Sequence, residues 1–195
     1  MRTDLNKQIL LVNACVRPDS RTLRLARRLL DRLGGTADEV NLEREGLLPL
    51  SYAALQERTQ LLEAGDYGAP MLRYARQLAA AEEIVVAAPY WDLSFPSALK
   101  VYLEHTTVNG VTFSYGEDGR PIGHCRAKRL FYVMTAGGPV YEPDHGYTYV
   151  RDLAAGLYGI PQTHRFSVEM LDVVGMDAEG LLREAENKID EFFEN

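Results

Sequence analysis

The segment from Ala88 to Lys100 carries the first chemical signal in this chain. It follows the apolar run Ile84-Val85-Val86-Ala87-Ala88, which reads as a buried strand because it is short, apolar throughout and bounded by Pro89. Pro89, Tyr90, Trp91, Asp92 and Leu93 form the turn after it, and Ser94 is placed to cap a helix whose first turn tolerates Pro96. A strand that passes at its carboxyl end into a helix is where open α/β sheets bind ligands. Tyr90 and Trp91 put two large flat side chains in that turn, where polar residues are usual. They suit a planar aromatic ligand; the competing reading packs them beneath a neighbouring loop.

Two further loops share that sheet edge. Ala14-Cys15-Val16-Arg17-Pro18-Asp19-Ser20-Arg21-Thr22 brings hydroxyls and guanidinium groups to the start of a helix. Free backbone N–H groups and the positive end of a helix dipole make such a place a phosphate site. Six arginines face two aspartates between Arg17 and Arg32, although Ser20 capping a helix with a solvated basic face accounts for the same residues. Thr135-Ala136-Gly137-Gly138-Pro139 follows another apolar strand, and its glycines allow close approach of backbone to a flat ligand, or make a plain strand-ending turn. Neither Gly-x-Gly-x-x-Gly nor the Walker lysine motif is present, which disfavours a dinucleotide or triphosphate site. Together the phosphate, aromatic and glycine loops suggest a site for flavin mononucleotide.

The elements that must position these loops alternate between strand and helix. Gln8–Asn13 reads as the first strand, and Ser20 opens a helix with Leu23, Ala26, Leu30 and Leu33 on one face and Gly34-Gly35 as its stop. Asp38–Leu42 is a weaker edge strand, and a helical stretch through Met71, Ala75, Leu78 and Ala79 leads into the strand at Ile84. An Asn109-Gly110 turn, Val111–Tyr115 and Pro121–Gly123 read as a small inserted hairpin. Leu130–Met134 is a fourth strand, a helix spans about Val150 to Tyr158, and a fifth strand spans Thr163–Val168. An acidic amphipathic helix with Leu181, Leu182, Ala185, Ile189 and Phe192 closes the chain. This pattern predicts one α/β domain over 1–195 with a parallel sheet covered on both faces. Glu43–Gly68 and Thr106–Lys128 exceed ordinary connections and read as functional lids or interface pieces, the former alternatively hiding another helix.

Composition narrows the function classes. The 195 residues are 46% hydrophobic and 25% charged with a net charge of −7, which argues against nucleic acid as a partner. Cys15 and Cys125 are too few for a disulfide framework. Cys15 reads as small-residue packing rather than redox chemistry, and His105, His124 and His164 are too scattered for a metal cluster. A first strand close to Met1, no basic-then-apolar leader and no apolar stretch near ~18 residues lead us to expect a cytoplasmic protein that neither is exported nor spans a membrane.

At the Pro89–Lys100 segment, at Gly110-Val111-Thr112-Phe113 with its hairpin, and at Thr135-Ala136-Gly137-Gly138, the chain resembles the flavodoxin-like NAD(P)H-dependent oxidoreductases, the group of FMN-dependent azoreductases and quinone reductases. The resemblance runs from the first strand to the last helix. It implies a flavodoxin-like three-layer sandwich with five parallel strands in the order 2-1-3-4-5, and a homodimer with FMN near the subunit interface. It also implies that Ser20, Arg21 and Thr22 hold the phosphate with Arg17 nearby. Pro89, Tyr90, Trp91, Asp92 and Leu93 would run along the isoalloxazine ring, with Thr135, Ala136, Gly137 and Gly138 flanking its other side. Azoreductases commonly carry asparagine where this chain has Asp92. The implied reaction takes hydride from NADH or NADPH through the flavin to a quinone-like, azo or nitro acceptor, and the flavin performs the chemistry. Tyr141 and His145 are candidates to line the acceptor pocket or donate a proton, or they belong to a surface loop. Two other readings stay open: a flavodoxin-type electron carrier without a substrate pocket, and a regulatory domain that has lost its flavin.

Overall fold

A computed structural model describes residues 7–194. In chain order the first half holds β1 (Gln8–Asn13), α1 (Arg21–Leu33), β2 (Thr36–Asn41), α2 (Leu42–Glu45), α3 (Tyr52–Glu63), α4 (Arg73–Ala80) and β3 (Glu83–Ala87). The second half holds α5 (Ser97–Thr106), β4 (Phe113–Tyr115), β5 (Pro121–Gly123), β6 (Arg129–Thr135), α6 (His145–Leu153), β7 (Gln162–Val168) and α7 (Ala178–Glu194). Five parallel strands form one sheet in the order β2-β1-β3-β6-β7. The order 2-1-3-4-5 expected from the sequence numbers only the strands of this sheet. The labels differ because β4 and β5 pair antiparallel as a separate hairpin between β3 and β6.

Alternation along the strands sorts the core into two layers. Leu10, Val12, Ile84, Val86, Leu130 and Tyr132 pack with Tyr74, Leu78, Leu99 and Val150 on one face. Ile9, Leu11, Val85, Ala87, Phe131 and Val133 pack with Leu25, Leu29, Leu182 and Ile189 on the other. Side chains in a strand alternate between faces, so the central strands, with consecutive apolar residues through Ile9–Val12, Ile84–Ala87 and Leu130–Met134, must have helices on both sides. Burying each large apolar side chain contributes about 1.5–3 kcal/mol. The sandwich fixes the carboxyl ends of β1, β3 and β6 along a single edge.

Several expectations need correction. Ser94 does not cap α5, which starts at Ser97 with Pro96 preceding it. The Ser94 N–H donates to the Trp91 carbonyl at 2.8 Å, and the Trp91 N–H donates to the Ser94 carbonyl at 3.0 Å. This two-residue turn consumes the backbone that a helix start at Ser94 would need. Glu43–Gly68 does contain another helix, α3, none of whose residues is buried. The helix expected around Val150 begins earlier, at His145, because Asp144 caps it by accepting from the Gly146 and Tyr147 N–H groups; its end, 154–158, widens into a π-turn. The edge strand starts at Thr36, and Leu42 belongs to α2. Among the described residues, no helix is long and apolar enough to cross a membrane.

Candidate active site

The first wall is built where β1 ends. The Asn13 side chain accepts from the Cys15 N–H at 2.9 Å and donates to Glu39 at 2.7 Å, which pins the loop leaving the strand. The Ser20 N–H then closes a turn onto the Arg17 carbonyl at 3.2 Å. Ser20 has extended backbone (φ −60°, ψ 122°), and its Oγ accepts from the Leu23 N–H at 3.2 Å. Serine is therefore the N-cap, and its hydroxyl proton stays available to a ligand. The Arg21 and Thr22 N–H groups, in the same first turn, have no intrahelical carbonyl to meet and sit at the positive end of the helix dipole.

The arginines of this region divide by task. Arg24 pairs with Glu179 and Glu186, each at 2.8 Å, Arg28 with Asp190, and Arg32 with Asp190 at 3.7 Å, all on α7. Those three clamp α1 to α7 and are neither a solvated basic face nor part of the site. Arg17 is exposed and has no ion pair among the described residues. The Arg21 guanidinium reaches across the cavity wall to the Leu171 carbonyl at 3.0 Å and the Asp172 carboxylate at 2.7 Å.

The second wall follows β3. The Ala88 N–H donates to the Val133 carbonyl and the Tyr90 N–H to the Thr135 carbonyl, each at 3.0 Å, so the chain stays laced to β6 beyond the strand. The turn from Trp91 to Ser94 holds Asp92 at φ 50° and Leu93 at φ 66°. Both central residues at positive φ define the turn type that matches strand twist. Aspartate tolerates this region at small cost, whereas Leu93 carries a cost of about 1–2 kcal/mol. Backbone strain of this sort gathers at ligand clamps.

The third wall is the loop after β6. The Thr135 hydroxyl hydrogen-bonds that of Thr22 at 2.6 Å, and both residues are buried. A β-carbon on Gly137 would lie 2.3 Å from an Asp172 carboxylate oxygen, so a larger residue there would have to displace that side chain.

These walls enclose a cavity of ≈ 340 Å³. Of the residues singled out from sequence, Arg17, Ser20, Arg21, Thr22, Pro89, Tyr90, Trp91, Thr135 and Gly137 line it. Asp92 and Leu93 form the adjoining turn, Ala136 is buried behind the wall with its N–H bound to Val168, and Gly138 lies beside it. Tyr141 is 64% exposed, His145 is the first residue of α6, and neither lines the cavity. Cys15, Val16, Asp19 and Asp172 also line it. Cys15 belongs to the loop after β1, whereas no local motif links Asp172 to Arg21, 151 positions away. Burial pushes the Cys15 thiol pKa up, with the Ser20 side chain opposing it. A thiol held protonated is a poor nucleophile. The arrangement offers anion donors at one end and flat apolar and backbone surfaces at the other, with no activated nucleophile between them.

A family model described as Flavodoxin-like fold matches residues 7–193. An FMN-dependent NADH:quinone oxidoreductase 2 from Clostridium acetobutylicum is 33% identical over 197 residues, covering 94% of this chain and 96% of the relative. An FMN-dependent NADH:quinone oxidoreductase from Clostridium beijerinckii is 36% identical over a shorter alignment, 65% of this chain and 64% of its own length. Among solved structures, an azoreductase from Bacillus anthracis superposes with a TM-score of 0.82 at 20% identity, covering 96% of this chain and 98% of that one. An FMN-dependent NADH-azoreductase from the same species, crystallised with FMN, gives 0.79 at 18% identity, over 96% and 98% of the two chains.

Proposed function

The chain belongs to the flavodoxin-like fold family, and from that premise we propose that it is an FMN-dependent NAD(P)H oxidoreductase that passes hydride to quinone-like acceptors, with azo or nitro compounds as the alternative acceptors. One observation carries the reading: an anion-binding helix start and a flat, glycine- and aromatic-walled slot share one cavity at the edge of a parallel sheet. Its ≈ 340 Å³ lies within the range of small-molecule sites, about 300–1,000 Å³. The residues fit FMN. The Ser20 hydroxyl and the Arg21 and Thr22 N–H groups hold the phosphate with Arg17 beside them. Pro89, Tyr90, Trp91, Asp92 and Leu93 run along one side of the isoalloxazine, and Thr135, Ala136, Gly137 and Gly138 flank the other. Thr22 offers its backbone N–H, while its hydroxyl hydrogen-bonds that of Thr135.

When bound, FMN supplies the hydride-accepting and hydride-donating chemistry. The protein's part is to anchor the phosphate, keep the ring against backbone that bulky side chains cannot obstruct, and leave an open face where nicotinamide and acceptor bind in turn. Tyr141 and His145 stand outside the lining, and their part is to line the acceptor pocket or donate a proton only where a bound acceptor reaches beyond it. The relatives named for NADH favour NADH over NADPH as donor. The single domain 1–195 works as a homodimer in the cytoplasm, with no nucleic acid or membrane partner. Exposed apolar side chains on and before α3, Leu48 and Tyr52 among them, support a partner surface.

Steady-state oxidation of NADH and NADPH by the FMN-loaded protein, over a small panel of quinones, tests this. Turnover with a quinone is the expected result, and FMN should bind in preference to FAD. A yellow protein without turnover would point to an electron carrier, and a protein that takes up no flavin would overturn the assignment.

A further inference from the structure

The cavity depends on two contacts that tie the first turn of α1 to the far side of the sheet. One is the buried hydroxyl pair Thr22–Thr135. The other is Arg21, whose guanidinium donates to the Leu171 carbonyl at 3.0 Å and to Asp172 at 2.7 Å. The segment that supplies both acceptors is itself bound to the glycine loop. The Met170, Leu171 and Asp172 N–H groups donate to the Gly138, Ala136 and Gly137 carbonyls at 3.2, 3.2 and 2.9 Å. Asp172 thus stands where three loops meet, and the space it needs is kept open by the missing β-carbon of Gly137.

We propose that Asp172 is a positioning residue for the flavin site: it holds the Arg21 guanidinium against the glycine loop, so that the phosphate wall and the ring wall keep their spacing before flavin arrives. The inference rests on the FMN reading above. Its geometry explains why an acid lines a cavity meant for an anion. Arg21 at the start of a helix is long and flexible, and without a partner it would swing across the phosphate donors or out to solvent. Paired, it offers a neutral, ordered wall, while Arg17 and the helix N–H groups remain for the phosphate. Asp172 is 63% exposed in its side chain. Exposed pairs add little to global stability, so the effect belongs to binding through preorganisation.

Four proteins, the parent, R21A, D172A and R21A/D172A, are titrated with FMN, and flavin release is followed by the recovery of flavin fluorescence. D172A should weaken FMN by about fivefold, chiefly through faster release, and the double variant should be no weaker than the weaker single one. The apo melting midpoint of D172A should stay within about 2 °C of the parent, which separates positioning from general destabilisation. A second variant perturbs Asp172 without removing its charge. G137A should weaken FMN in the parent by pushing Asp172 aside, and should cost nothing further in D172A. Parent-like FMN affinity in D172A, or additive effects of R21A and D172A, would overturn the proposal alone. A parent that binds no FMN would overturn it together with the function it rests on.

Discussion

Ser20 holds two roles that pull on the same oxygen. Its Oγ accepts from the Leu23 N–H as the helix cap, while its proton points a donor at the phosphate position. Ser20→Ala should cost about 1 kcal/mol of stability through the cap. It should also weaken FMN by roughly ten- to a hundredfold, the effect of removing one hydrogen bond to a charged group. A denaturant melt of the apo variant reads the first loss and a calorimetric FMN titration the second, and unchanged affinity would remove Ser20 from the site. Trp91 gives a second probe, since it is the only tryptophan and lines the cavity while 40% exposed. Its fluorescence should be quenched by bound FMN and return when the flavin is stripped. Trp91→Ala should loosen flavin by about 0.5–1.5 kcal/mol beyond lost area and leave the fold intact. Equal emission from apo and holo protein would place the indole away from the ring.

The elements are joined by contacts of unequal weight. The ion pairs from Arg24, Arg28 and Arg32 to α7 lie at a half-exposed seam and contribute little each. The packing beneath them is heavier. His164 on β7 stacks on Phe131 at 5.2 Å and meets Phe192 of α7 at 4.8 Å. Among the described residues its buried Nε2 has no hydrogen-bond partner. Burial lowers its pKa, the Arg129 charge adds to that, and Glu83 opposes it. The folded state therefore binds fewer protons at this ring than the unfolded chain does. Stability is complete above the unfolded value of about 6.5 and is lost as pH falls through the lower folded value. Denaturant melts at pH 7.5 and 5.5 should show a drop for the parent and a smaller one for His164→Phe. An equal drop in both would place the sensitive group elsewhere.

At the scale of the whole molecule, the described chain leaves apolar surface uncovered beside and beyond the cavity. Leu48 and Tyr52 are 76% and 77% exposed, and Val174, two residues past Asp172, is 99% exposed. α3 has no buried residue in the single chain, although a helix of its length ordinarily owes its stability to packing an apolar face. A homodimer that covers α3 and closes the cavity mouth accounts for both features. Light scattering at micromolar concentration should report twice the chain mass of 21.9 kDa. A monomer with full activity would contradict the arrangement.

The residue pattern by itself determined the alternation of elements, the two-sided burial of the central strands and the three loops that reach one edge. Each of these follows from short-range rules: apolar runs of strand length, a serine at a helix start, glycine where backbone must come close. Parallel strands joined by helices then bring their carboxyl ends together without further information. Only the tertiary structure decided which arginines serve the site and which clamp α7, because the acids they meet lie more than 150 positions away. It also withdrew Ser94 from capping α5 and gave it to the turn with Trp91, a choice between two locally acceptable uses of one backbone. The bond between the Thr22 and Thr135 hydroxyls and the reach of Arg21 to Asp172 had no local signal in the sequence. Periodicity and capping are properties of neighbours along the chain. The pairing of a particular hydroxyl or charge is a property of how finished layers settle on one another.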